Sequence, residues 1–239
     1  MSATYESQYL SKVVSIQKQL REAKIPFVLI GSICSMIYCI NRDSPWRPVL
    51  FRSKSRVLPE SLKIPDLDVL VPRTYLKLAH NIRRQNLYRG ERINLELLSG
   101  ECHIDWRPEL PDSYLLHGKL RTKISSSYFT PDNIEMDNNT YTLMPLRTQL
   151  QLYCTIGGIL RQKDYIVTAA LRSISSPKDL IVIPEIEEFN SRRAIAYPNY
   201  SRWRNIGESI RGLLPYPGAA VLTAVGKKFQ TAMMYNKDL

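Results

Sequence analysis

Residues 64–72 read IPDLDVLVP, and inside that apolar run two carboxylates, Asp66 and Asp68, stand two positions apart. In an extended chain alternate side chains share a face, so both acids look into one volume while Leu67, Val69 and Val71 turn the other way. Left bare, such a pair repels itself and one member takes up a proton. A divalent cation between them keeps both ionised and turns the repulsion into ligation. The spacing therefore points to a Mg²⁺ or Mn²⁺ site. Asp105, in HIDWRPEL, stands between Ile104 and Trp106 on an alternating stretch. In an α/β core that strand can run beside the Asp66 strand and bring a third carboxylate to the same ion. Upstream, FVLIGS closes an apolar run on Gly31 and Ser32. Glycine there lets a phosphate approach the backbone, which the amides of a following helix start and the Ser32 hydroxyl can hold.

Each feature has a plainer use taken alone. Asp66 can belong to the turn after Pro65, Asp68 can be a solvated acid at a strand edge, Asp105 can precede the RPELPD turn at the surface, and Gly-Ser commonly follows a strand. Their order along the chain is what argues for a shared site.

The elements that must position these residues follow from periodicity. Tyr9, Val13, Ile16 and Leu20 recur at helical spacing in the first segment, which stops near Pro26. FVLI reads as a short buried strand, ICSMIYCI as a helix apolar on nearly every face, and LDVLV as a strand. RTYLKLAHNIRRQNLY reads as a helix with a basic polar side. RINLELLS and ECHIDWRP each alternate with period two, which predicts a β-hairpin. The stretch 41–63, with three prolines, Trp46 and six basic residues, reads as an excursion inserted into the core. This order predicts an α/β core over 1–110. Strands are faint in 111–144, and 145–174 reads as one or two helices interrupted at Gly157-Gly158. A last helix is expected from about Gly218, so 111–239 is expected to be mostly helical.

Composition bounds the partners. The 239 residues carry 33 Lys+Arg against 22 Asp+Glu, a formal charge of +11, which favours an anionic partner such as nucleic acid or nucleotide. No apolar run is long enough to span a membrane and the first residues lack the order of a secretory signal, which predicts a cytoplasmic protein with no membrane partner. Cys34, Cys39, Cys102 and Cys154 form no CxxC pair and read as buried reduced thiols; Cys102-His103 lacks a second pair for zinc. Arg56, Arg83 and Arg84 are candidate contacts to phosphate or RNA. The tail interleaves Tyr197, Tyr200 and Trp203 with Arg192, Arg193, Arg202 and Arg204, a mixture suited to base stacking or to packing against the core.

A strand ending in Gly31-Ser32, a helix, a strand opened by Asp66-x-Asp68, and a later strand bearing Asp105 together resemble the DNA polymerase β-type nucleotidyltransferase superfamily. The pair DLDVLVP and HIDWRPEL looks most like its bacterial and toxin-type minimal members. The resemblance covers roughly residues 10–110. It implies a nucleotidyltransferase-like mixed sheet flanked by helices, with Asp66, Asp68 and Asp105 as catalytic metal ligands and Gly31 and Ser32 at the nucleotide. It further implies Mg²⁺ or Mn²⁺ as cofactor and a nucleoside triphosphate as substrate. The acceptor is a hydroxyl, with RNA, tRNA first, favoured by the charge, and relatives of the toxin type leave room for an inhibitory partner protein. The rival expectation is a non-catalytic nucleic-acid-binding protein on the same or another α/β fold.

Overall fold

A computed structural model describes residues 3–45, 66–88, 94–98, 104–155 and 162–196. Helix α1 (Ala3–Glu22) buries Leu10, Val13, Ile16 and Leu20 at the expected three- and four-residue spacing. Each of the last three contributes about 1.5–3 kcal/mol through that burial. β1 (Val28–Ile30) is wholly buried and leads straight into α2 (Gly31–Asn41), whose residues Ile33 to Cys39 are all interior. A helix apolar all round belongs inside the protein, as the sequence pattern demanded. β2 (Asp66–Leu70) follows, then a 3-10 turn (Arg73–Tyr75) and α3 (Leu76–Tyr88). β3 (Asn94–Leu98), β4 (Ile104–Asp105), β5 (Asp112–His117), β6 (Leu120–Ser125), β7 (Asp132–Met136) and β8 (Asn139–Leu143) come next. The described chain closes with α4 (Leu146–Thr155), α5 (Gln162–Ile174) and α6 (Pro184–Ala196).

The fold is α/β. Five strands form a mixed sheet in the order β3-β2-β1-β8-β7, and β4-β5-β6 form a smaller antiparallel sheet. β1 is central, antiparallel to β2 and parallel to β8. α1 packs on β8 and α3, whereas α2 packs on β1, β2, α4 and α5, and α6 lies on β5 and β6. Tyr38, wholly buried on α2, ties this arrangement together: its hydroxyl donates to Asp132 Oδ2 at 2.6 Å and to the Met144 carbonyl at 3.0 Å.

Two expectations are corrected by the pairing. The stretches around 94–98 and 104–105 do not form a hairpin with each other: β3 pairs in parallel with β2, and β4 pairs with β5. Alternation tells which side chains share a face and says nothing of which strand lies alongside. The five-stranded sheet also draws β7 and β8 from beyond residue 110, so a core over 1–110 lacks two of its strands, and the second half opens with strands before its helices. Among the described residues no helix is long and apolar enough to cross a membrane. Residues 46–63 of the excursion, the Gly157-Gly158 break and the helix expected from Gly218 lie outside the described residues.

Candidate active site

The antiparallel pairing of β1 with β2 carries the last residue of one to the middle of the other, with Ile30 opposite Asp68. The next residue, Gly31, has φ +72°, in the left-handed region that an L side chain rarely enters. A Cβ at that position would lie 2.1 Å from Asp68 Oδ2 and 3.0 Å from its Cγ. Glycine is thus required twice, once by the backbone and once by the carboxylate that fills the space a side chain would take. Gly31 and Asp68 are in direct contact in the fold.

Gly31 is also the first residue of α2. The cap position is held by Ile30, which makes no side-chain hydrogen bond to the helix, and the first turn contains no acidic residue. Helix starts leave amide donors without intrahelical partners and carry partial positive charge, so the Asp68 carboxylate lies at an end that favours anions. Ser32 is half-buried in this turn, and its hydroxyl bonds to no other described residue. From behind, Gln149 of α4 donates Nε2 to the Gly31 carbonyl at 2.8 Å and to Ser35 Oγ at 3.1 Å, while Ser35 Oγ itself donates to the same carbonyl at 3.2 Å. Gln149 and Ser35 are both buried, so the turn is fixed by a dry amide-hydroxyl pair that holds its geometry.

Asp66 occupies the first position of β2, two residues before Asp68 and therefore on the same sheet face. Asp105 lies elsewhere in the topology. It was expected on a strand beside β2; that neighbour is β3, and Asp105 pairs instead with Tyr114 of β5 in the smaller sheet. Asp105 is buried, and its carboxylate accepts two bonds from Arg107, from Nη2 at 2.6 Å and from Nε at 3.1 Å. A buried charge needs such a partner. The guanidinium, whose pKa is raised by that bond, also stacks over the Tyr114 ring at 5.0 Å from its centroid.

The register exposes a position that sequence reasoning passed over. Glu96 of β3 stands opposite Asp68, and Asn94 opposite Asp66. Paired residues of adjacent strands share a face, so positions 66, 68 and 96 lie on one side of the sheet. The alternation of NLELL carried half of this signal; the identity of the partner strand carried the rest. Among the residues whose side chains are described, a set without those at 66 and 96, no three His, Cys, Asp or Glu gather as a metal cluster. The fit to a cation rests on the donor set: acidic positions side by side on one face, one carboxylate held at a helix start.

The remaining candidates divide. Arg83 and Arg84 lie on α3, and their charge, after burial, lowers the pKa of His80 on the same helix. Arg193 is buried, which removes it from any surface used for base stacking, and Arg192 bonds to Glu188 and Thr122. Cys34 and Cys39 are buried free thiols; burial raises both, Cys39 to about 11, and Cys34 donates to the Met144 carbonyl at 3.6 Å. Arg56, Cys102, His103, the side chain of Cys154 and residues 197–239 lie outside the described residues. Neither the models of known protein families nor the characterised proteins compared with the chain match it.

Proposed function

We propose that the chain is a metal-dependent nucleotidyltransferase that moves a nucleoside monophosphate from a nucleoside triphosphate to an acceptor hydroxyl, with RNA as the acceptor and pyrophosphate as the leaving group. One observation carries the reading: the contact of Asp68 with Gly31 at the start of α2. A carboxylate beside a helix start is the combination that a triphosphate and its counter-ion need together, and it supports the reading. Asp66 and Asp68 would hold Mg²⁺ or Mn²⁺, which when bound neutralises phosphate charge and lowers the pKa of a coordinated hydroxyl. The amides of the first α2 turn and the Ser32 hydroxyl receive phosphate oxygens, and Gln149 keeps those amides in register. Asp105 is the third carboxylate on the sequence pattern, and Glu96 is the third on the sheet register.

Purified protein incubated with each α-labelled triphosphate, Mg²⁺ and total RNA should label RNA, and Asp68→Asn should abolish labelling while its circular dichroism is retained. Asp105→Asn and Glu96→Gln then assign the third position, because the true ligand loses labelling and the other retains most of it. Undiminished labelling by Asp68→Asn ends the proposal.

A second reading, a non-catalytic nucleic-acid-binding protein, is favoured by the Arg107 guanidinium on Asp105. That ion pair gives the carboxylate a structural use. RNA binding by the parent protein with no labelling from any triphosphate would select this reading.

A further inference from the structure

The helix that follows the Asp66 strand carries charge that the rest of the fold does not answer. Residues 71–88 contain Arg73, Lys77, Arg83 and Arg84 and not one Asp or Glu. Among the described residues none of these four forms an ion pair or hydrogen bond. Arg73, Lys77 and Arg84 are exposed. Lys77, Asn81 and Arg84 fall at i, i+4 and i+7, which is one stripe of the helix, and Arg73 extends it by a turn at the N-terminal side. Together the cations cover about 16 Å along the helix axis at 1.5 Å per residue.

Beside the stripe runs a groove of about 390 Å³ between α1 and α3, lined by Gln19, Glu22, Leu78, Asn81, Ile82 and Gln85. Its floor is fixed: Gln19 and the buried Asn86 exchange amide hydrogen bonds at 3.0 and 3.3 Å. Its rim is not. Asn81 and Gln85 are exposed and their amides have no partner among the described residues, and Leu78 leaves 43% of its surface in water. Glu22, the one acid lining it, sits 3.9 Å from Lys18. The C-terminal half of α3 returns toward the acidic end of the sheet. α3 starts beyond the C-terminal end of β2 and, through residues 89–93, leads into Asn94, which pairs with Asp66. Arg83 and Arg84 therefore lie toward the end of the fold that holds Asp66, Asp68 and Gly31.

We propose that the α1–α3 groove seats a single-stranded RNA. Its phosphates lie along Arg73, Lys77 and Arg84, a base rests on Leu78, and base edges or 2′-hydroxyls meet the free amides of Asn81 and Gln85. Cations alone would serve any polyanion. Paired with unspent carboxamides, which offer a donor and an acceptor in one plane, they match a polynucleotide, whose base edges present the complementary pair beside each phosphate. Calling this RNA the acceptor rests on the nucleotidyltransferase reading; the binding itself does not.

The test is fluorescence anisotropy of a labelled mixed-sequence RNA 20-mer across a salt series. With Lys77→Glu plus Arg84→Glu the affinity falls about tenfold or more, and the slope of log affinity against log salt shrinks by about 1.4, since each phosphate contact on a single strand contributes about 0.7. Asn81→Ala weakens binding and leaves the slope unchanged. All three substitutions lie on an exposed face, so melting curves should match the parent. Parental affinity and slope in the charge-reversed variant, or displacement of RNA by polyglutamate as effective as by unlabelled RNA, overturns the groove. Asp68→Asn keeps full RNA affinity. Loss of RNA binding in the α3 variants without labelling in the parent refutes the transferase alone, and unchanged RNA binding with labelling intact refutes the groove alone.

Discussion

The contact between Gly31 and Asp68 supports the proposed site, and Gly31→Ala tests it without reference to activity. Alanine adds one methyl group, and two penalties follow. At φ +72° an L residue costs about 1–2 kcal/mol over glycine. The new Cβ would also overlap Asp68 Oδ2 at 2.1 Å and meet Asp68 Cβ at 3.1 Å. Relieving that overlap in a packed region costs about 1–3 kcal/mol. The sum, about 2–5 kcal/mol, corresponds to a melting temperature lowered by about 10 °C in a protein of this size. Asp68→Ala removes the oxygen and keeps the Cβ, so a double-mutant cycle separates the two penalties. Gly31→Ala in the Asp68→Ala background should recover at least about 1 kcal/mol, with urea unfolding as the assay. Gly118→Ala, at φ +56° in the β5–β6 turn, measures backbone strain away from Asp68 and should cost only about 1–2 kcal/mol. An additive cycle, or a loss at Gly31 no larger than at Gly118, would refute the packing of the Asp68 carboxylate onto the helix start and the site built on it.

Three further outcomes are expected. Mg²⁺ or Mn²⁺ should raise the melting temperature of the parent and leave that of Asp68→Asn unmoved; at a hundredfold excess over the dissociation constant the stabilisation is about 2.7 kcal/mol, and an equal shift in both proteins contradicts ligation by Asp68. Gln149→Leu withdraws the amide behind Gly31 and should cost about 1–3 kcal/mol in chemical denaturation, with no loss expected if that carbonyl were wet. Because burial raises the Cys39 thiol from 9.0 to about 11, the unfolded chain loses this proton first. Its contribution is complete below pH 9 and is lost as pH rises through about 11, so Cys39→Ala should flatten the alkaline limb of the stability profile; a limb identical to the parent's refutes the assignment.

Much of the fold was legible where a local period reports burial. Val13, Ile16 and Leu20 announced the buried stripe of α1, the run 33–40, apolar but for Ser35, announced the interior helix α2, and Leu67 and Val69 announced the buried side of β2 opposite the acids. Partner choice was not legible, because it depends on residues far apart in the chain. NLELL looked like half of a hairpin and is the parallel edge neighbour of β2, which left Glu96 unnoticed. The β7–β8 hairpin did carry a local signal that went unread: Asp137-Asn138 between two short runs, both at positive φ of 51° and 60°, suits the two-residue turn that matches strand twist. At the site the sequence pattern placed Gly31 and Asp68 among the residues of one site, and their contact came from the strand pairing. Gln149, 118 positions from the carbonyl it holds, and Arg107 on Asp105 came only from the fold.

The central claim is that acids on β2 and the Gly31-Ser32 helix start form one site for a metal-bound triphosphate. Crystals soaked with Mn²⁺ and a non-hydrolysable triphosphate test it most directly. The account predicts an anomalous peak at about 2.0–2.3 Å from carboxylate oxygens of both Asp66 and Asp68, with phosphate oxygens on the first amides of α2. Density that leaves the Asp68 carboxylate bonded to those amides itself, with no peak at either acid, contradicts it.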